Sequence, residues 1–156
     1  MAKLPPHPLQ SEILQAVSSA KTKKEKIELL QTHRSPALVS LFVWNFDESI
    51  ESAIPEGEVP FTPNDSPTVD SQSKLASQYR TLYNYVKGGN DGLKRTRRES
   101  LFIELLESLH PDEAEIVCLV KDKNLKKKYR ITHNVIKEAY PDVEWGILSE
   151  ENFKIN

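Results

Sequence analysis

The segment Ala37–Phe46, ALVSLFVWNF, constrains the fold more than any other, because it is apolar nearly all the way round a helix. A helix without a polar face has to be enclosed by other elements, so this one is expected to be the central core helix. Ser35-Pro36 stands immediately before it. Proline is harmless at the first helical position, where its missing N–H has no partner to lose, and the pair marks the helix start. Ser40 and Asn45 interrupt the stretch, which falls far short of the roughly 20 residues that span a bilayer.

The elements around it follow from spacing and from punctuation. Leu9, Ile13, Leu14 and Val17 recur at helical spacing after Pro8 and predict a first helix over Leu9–Val17. Thr22-Lys23-Lys24-Glu25 has the form of a capping box, and Ile27, Leu29 and Leu30 supply the buried stripe of the helix it opens. A fourth helix is expected to carry Leu75, Tyr79, Leu82, Tyr83 and Val86 on one face, ended by the turn Gly88-Gly89-Asn90-Asp91-Gly92. Thr96-Arg97-Arg98-Glu99 repeats the capping-box pattern ahead of Leu101, Phe102, Leu105, Leu106 and Leu109. His110-Pro111-Asp112-Glu113 ends that helix and starts a sixth, with acidic residues placed to favour its positive end. Ile116, Val117, Leu119 and Val120 then face the core, and Lys126–Ile131 is expected to include a short strand. Thr132 caps a short seventh helix reaching Tyr140 and stopped by Pro141, and Val143–Leu148 is apolar enough to pack back. With 156 residues this is one compact all-α domain of about seven helices, residues 1–156. Residues 47–73 interrupt it as an extended, acidic, proline-rich loop, either disordered or held to the surface by Ile54, Val59 and Phe61.

Several chemistries have no foothold. Cys118 is the single cysteine, so no internal disulfide and no cysteine-rich zinc site is available, and its apolar surroundings read as burial. The opening MAKLPPHPLQ has no apolar core and does not read as a secretory signal. None of His7, His33, His110 and His133 is paired at i+3 or i+4 with another histidine or the cysteine. His110 with Asp112, Glu113 and Glu115 is the one conceivable metal group, but acidic residues at a helix start are expected for dipole reasons alone. Neither a phosphate-cradling P-loop nor a Gly-x-Ser-x-Gly elbow occurs. The expectation is a soluble, intracellular protein without enzymatic activity, metal or cofactor.

The charge is informative once divided. Twenty-one basic and twenty-three acidic residues give a net −2, yet residues 1–73 carry six basic against ten acidic and residues 74–130 thirteen against eight. The middle section concentrates its cations in two runs: Lys87, Lys94, Arg95, Arg97 and Arg98, then Lys121, Lys123, Lys126, Lys127, Lys128 and Arg130. If helices five and six pack antiparallel, the runs merge into one basic face suited to phosphate contact, with Tyr85 and Tyr129 as stacking surfaces. Charge runs are also ordinary solvated loops, and an acidic surface, including the chain's own Asp47–Asp70 segment, is an alternative partner. Helices six and seven invite comparison with a helix-turn-helix presenting His133, Asn134 and Lys137, but the connection of about ten residues exceeds the usual turn. Pro60-Phe61-Thr62-Pro63 and Leu4-Pro5-Pro6-His7-Pro8 read as extended segments, linkers or ligands of a partner groove.

The order of motifs adds a resemblance. Leu4-Pro5-Pro6-His7-Pro8-Leu9, PEGEVPFTPN, YVKGGNDG, LFIELLESLHPDEAEIVCLVKDKNL and VIKEAYPDVEWG together resemble a family of small uncharacterised proteins of contractile-tailed bacteriophages, including those of marine cyanobacteria. The likeness implies a viral origin and expression in the cytoplasm of a bacterial host, and it transfers no catalytic residue. The expected function is binding, through Lys87, Lys94, Arg95, Arg97, Arg98, Lys121, Lys123, Lys126, Lys127, Lys128, Tyr129 and Arg130, to nucleic acid or a replication or transcription protein. The alternative is a virion or assembly component docking through the proline-rich segment and Trp145–Phe153.

Overall fold

A computed structural model describes residues 4–65 and 72–146. Among these there are seven α-helices and no strand: α1 (Gln10–Ser19), α2 (Lys23–Thr32), α3 (Pro36–Phe46), α4 (Leu75–Gln78), α5 (Arg95–Ser108), α6 (Pro111–Lys121) and α7 (His133–Ala139). The all-α expectation holds. Residues 37–45 of α3 are all buried, and α4, its continuation and α6 pack around them. Polar atoms near its end find partners outside the helix. Asn45 Oδ1 accepts the Leu125 amide at 3.1 Å, and Trp44 Nε1 donates to Ser52 Oγ at 2.8 Å.

Three helix starts form as the capping residues dictate. Thr22, Ser35 and Thr132 each accept an amide of the first turn, from Glu25, Leu38 and Val135. Each such cap contributes about 1 kcal/mol. A fourth does not form: α5 begins at Arg95, one residue before Thr96, and no side chain caps it. Arg98 instead turns back to donate to the carbonyls of Asn84, Asn90 and Leu93 at 2.8, 2.9 and 3.1 Å. That grip pins the glycine turn to the helix start.

Two further expectations are corrected. The fourth helix is α-helical for four residues only and continues as a 3-10 helix from Tyr79 to Tyr85. Its end is held from outside, since the Asn84 and Tyr85 carbonyls accept from Arg98 and from the Ala53 amide. Gly89 then passes so close that a Cβ there would lie 1.9 Å from the Tyr83 carbonyl oxygen, which only glycine allows. The strand expected in Lys126–Ile131 is absent, because Leu125–Lys127 form a 3-10 turn anchored by the fully buried Leu125.

Residues 48–65 run without helix, with Ile54 buried and Val59 and Phe61 packed against the core. Residues 66–71 of the expected 47–73 loop lie outside the described residues. At the other end of the domain, the Tyr140 hydroxyl donates to the Leu30 carbonyl at 2.7 Å, and α7 packs chiefly on α2. A helix-turn-helix would require it to pack on α6.

Candidate functional site

The twelve cationic and aromatic candidates divide by how the fold uses them. Lys121 is 3% exposed, and its ammonium donates to the carbonyls of Pro55 (2.8 Å) and Gly57 (3.0 Å) and to Asp122 Oδ1 (2.6 Å). A charge so enclosed cannot meet a phosphate, so Lys121 leaves the contact set. It clamps the strap of chain that leaves α3.

Lys123 is a second clamp. It sits at φ +57°, a left-handed position that usually favours glycine, just beyond the end of α6. The amides of Lys123 and Asn124 close the helix on Val120 and Leu119, and the side chain crosses to donate to the Trp44 and Asp47 carbonyls at 2.5 and 2.9 Å. Burial lowers its pKa, with Asp47, Glu48 and Glu51 opposing the shift.

Tyr129 and Tyr85 are each 2% exposed, so neither ring offers a stacking face. Burial pushes the Tyr85 hydroxyl up to about 12. Arg98 is taken up by the three carbonyls of the glycine turn. Of the remaining cations, Arg95 meets Glu99 at 3.3 Å, Lys87 meets Glu51 at 3.7 Å, and Lys128 pairs with Glu115, which raises its pKa. Among the described residues Lys94, Arg97, Lys126, Lys127 and Arg130 are exposed and enter no ion pair.

The two runs do not join directly. Helices α5 and α6 do pack together, but residues 51–57 lie between their basic ends. On one side the Lys87 amide donates to the Glu51 carbonyl at 2.8 Å, and on the other Ser52 Oγ donates to the Lys121 carbonyl at 2.5 Å. The acidic Glu51–Glu58 stretch thus interrupts the face. The second run meets a different neighbour instead: the Arg130 amide donates to Ser18 Oγ at 2.8 Å, and the Lys26 ammonium donates to the Arg130 carbonyl.

Sequence reasoning missed two groups here. Lys21, Lys23, Lys24 and Lys26 are visible as a run, but the acidic residues 47–70 cancel them in a segment total. Glu113, read as a dipole residue, is 1% exposed and accepts the amides of Gln10 (2.8 Å) and Leu75 (3.0 Å). Those are the first residues of α1 and α4, whose amides have no partner within their own helices. One carboxylate at the start of α6 therefore serves the N-termini of two other helices. Burial raises its pKa against the pull of the two amides. No local sequence signal distinguishes it from Asp112.

The nucleophile and metal candidates carry little chemistry. Burial pushes the Cys118 thiol up to about 11, which keeps it protonated at neutral pH. His110 Nδ1 accepts the Asp112 amide at 3.1 Å as a helix cap, and the described residues contain no group of three His, Cys, Asp or Glu able to hold a metal. His133 stacks on Phe46 at 5.5 Å and meets Trp145 edge-on at 4.3 Å, and among the described residues its buried Nε2 has no hydrogen-bond partner. No helix among the described residues is long and apolar enough to cross a membrane. Of the docking stretch Trp145–Phe153, residues from 147 onward lie outside the described residues.

A family model matches residues 13–127, and its description is a family of unknown function (DUF6433). The match takes in both basic runs as far as Lys127 and stops short of α7. No curated protein and no solved structure gives a significant match.

Proposed function

The chain belongs to this family of unknown function, and from that premise we propose that it is a non-enzymatic binding protein whose basic loops contact the phosphates of a nucleic acid. The observation that supports this reading is the turn after α6. Its backbone is anchored by Leu125, Tyr129 and Ile131, each no more than 2% exposed, while Lys126, Lys127 and Arg130 point their unpaired charges outward. A fixed backbone under free cations suits contact with a polyanion, where arginine gives bidentate and lysine point-charge contact. Lys94 and Arg97 supply a second, separate cluster beside the glycine turn. The resemblance to phage proteins supports a place in an infected bacterial cell, where nucleic acid and the proteins that handle it are the expected partners.

The test is a gel-shift titration with mixed-sequence duplex DNA at low salt. Replacing Lys126, Lys127 and Arg130 together by alanine is expected to weaken binding roughly tenfold or more. Equal binding by the wild type and the triple variant would reject this turn as the contact. The assembly reading predicts a different result, namely fixed stoichiometry in purified particles and no salt-dependent DNA binding.

A further inference from the structure

The run that opens α2, Lys21-Thr22-Lys23-Lys24-Glu25-Lys26, sets four lysines against one glutamate. Three contacts place it beside the turn after α6. The Arg130 amide donates to Ser18 Oγ at 2.8 Å, just before this run. The Lys26 ammonium donates to the Arg130 carbonyl. Lys21 shares one open groove of about 650 Å³ with Lys128 and Tyr129. Residues more than 100 positions apart in the chain thus present their cations to the same solvent.

The lysines differ in availability. Lys23 is engaged by Glu138 at 2.5 Å, whereas Lys21 and Lys24 are exposed and, among the described residues, in no ion pair. Glu12, Glu25 and Asp112 also line the groove. Their charge disfavours an anion inside the groove, so a phosphate is expected to meet Lys21 from the open side. Tyr129 is 2% exposed, so its ring, between the two basic elements, gives a base no face to stack on.

We infer that Lys21 and Lys24 form the second half of one nucleic-acid surface, with Lys26 tying the two halves together through the Arg130 carbonyl, so that a phosphate backbone runs from the 126–130 turn across the start of α2. The inference rests on the phosphate-contact reading and adds to it a location and a mode, contact with phosphates without base stacking.

The experiment uses the full-length chain and mixed-sequence duplex DNA, with affinity measured over a range of salt. Each lysine that contacts phosphate adds about 0.9 to the slope of log affinity against log salt, so Lys21→Gln with Lys24→Gln is expected to flatten it by about 2. Circular dichroism checks that the variant is folded, and the Lys21→Arg, Lys24→Arg pair should restore the slope. An unchanged slope in the glutamine variant overturns the inference and leaves the 126–130 turn as the whole contact. Absence of binding by the wild type at any salt overturns both.

Discussion

Replacing Glu113 by alanine removes the one acceptor shared by the starts of α1 and α4. The Gln10 and Leu75 amides lie at residues 3% and 0% exposed, so water is poorly placed to substitute. An unsatisfied buried donor costs about 1–3 kcal/mol, and two of them, with the void left by the side chain, put the loss at about 3–5 kcal/mol. That is a large part of the roughly 5–15 kcal/mol that holds a typical domain folded. Glutamine keeps one acceptor oxygen but turns an NH2 group toward the second amide, so its loss should be about half as large. Urea unfolding of the wild type and both variants, followed by far-UV circular dichroism, measures this directly. A loss below about 1 kcal/mol for alanine, or a glutamine variant less stable than alanine, would refute the account of two helix starts hung on one carboxylate.

Three more outcomes follow from named contacts. Burial, with Lys137 and Lys126 nearby, holds the His133 imidazole below its usual 6.5, while Asp47 and Glu48 oppose the shift. The unfolded chain therefore takes up this proton first, and stability falls as pH drops below about 6.5; an NMR titration placing the His133 pKa above that value would contradict the packing of its Nε2. Lys121→Met keeps the buried stem but leaves the Pro55 and Gly57 carbonyls without their donor, so limited proteolysis should cut faster within residues 55–60, and an unchanged cleavage rate would argue against the clamp. Lys24→Glu puts a negative charge at the positive end of α2 but beside Glu28 and Glu138, so the two effects offset and stability should change by less than about 0.5 kcal/mol while DNA binding weakens. A markedly lower melting temperature would show that Lys24 serves the fold.

Much of the architecture was legible because its signals are local. Thr22, Ser35 and Thr132 each sit within three residues of the amide they accept, and the apolar ring of α3 announces its own burial. What was hidden depends on partners distant in the chain. Thr96 loses its capping role because Arg98 reaches carbonyls up to fourteen residues away, and the 3-10 helix ends on contacts from Ala53 and Arg98. Lys121 and Lys123 look like surface cations in a charged run, yet carbonyls 64 to 79 residues earlier draw them inward. Glu113 holds the Gln10 amide, 103 positions earlier in the chain. Charge runs locate lysines without saying which way they point, so the candidate surface required the fold to sort clamps from free cations.

Binding to phosphates through outward cations is the central claim, and its salt dependence tests it most directly. Three contacts from the 126–130 turn and up to two from the start of α2 predict a slope between about −2.7 and −4.5 for log affinity against log salt on duplex DNA. A fluorescence-anisotropy titration with a mixed-sequence duplex, repeated between about 50 and 200 mM salt, reads that slope. A value in this range supports the account. A flat line, or no binding even at the lowest salt, contradicts it.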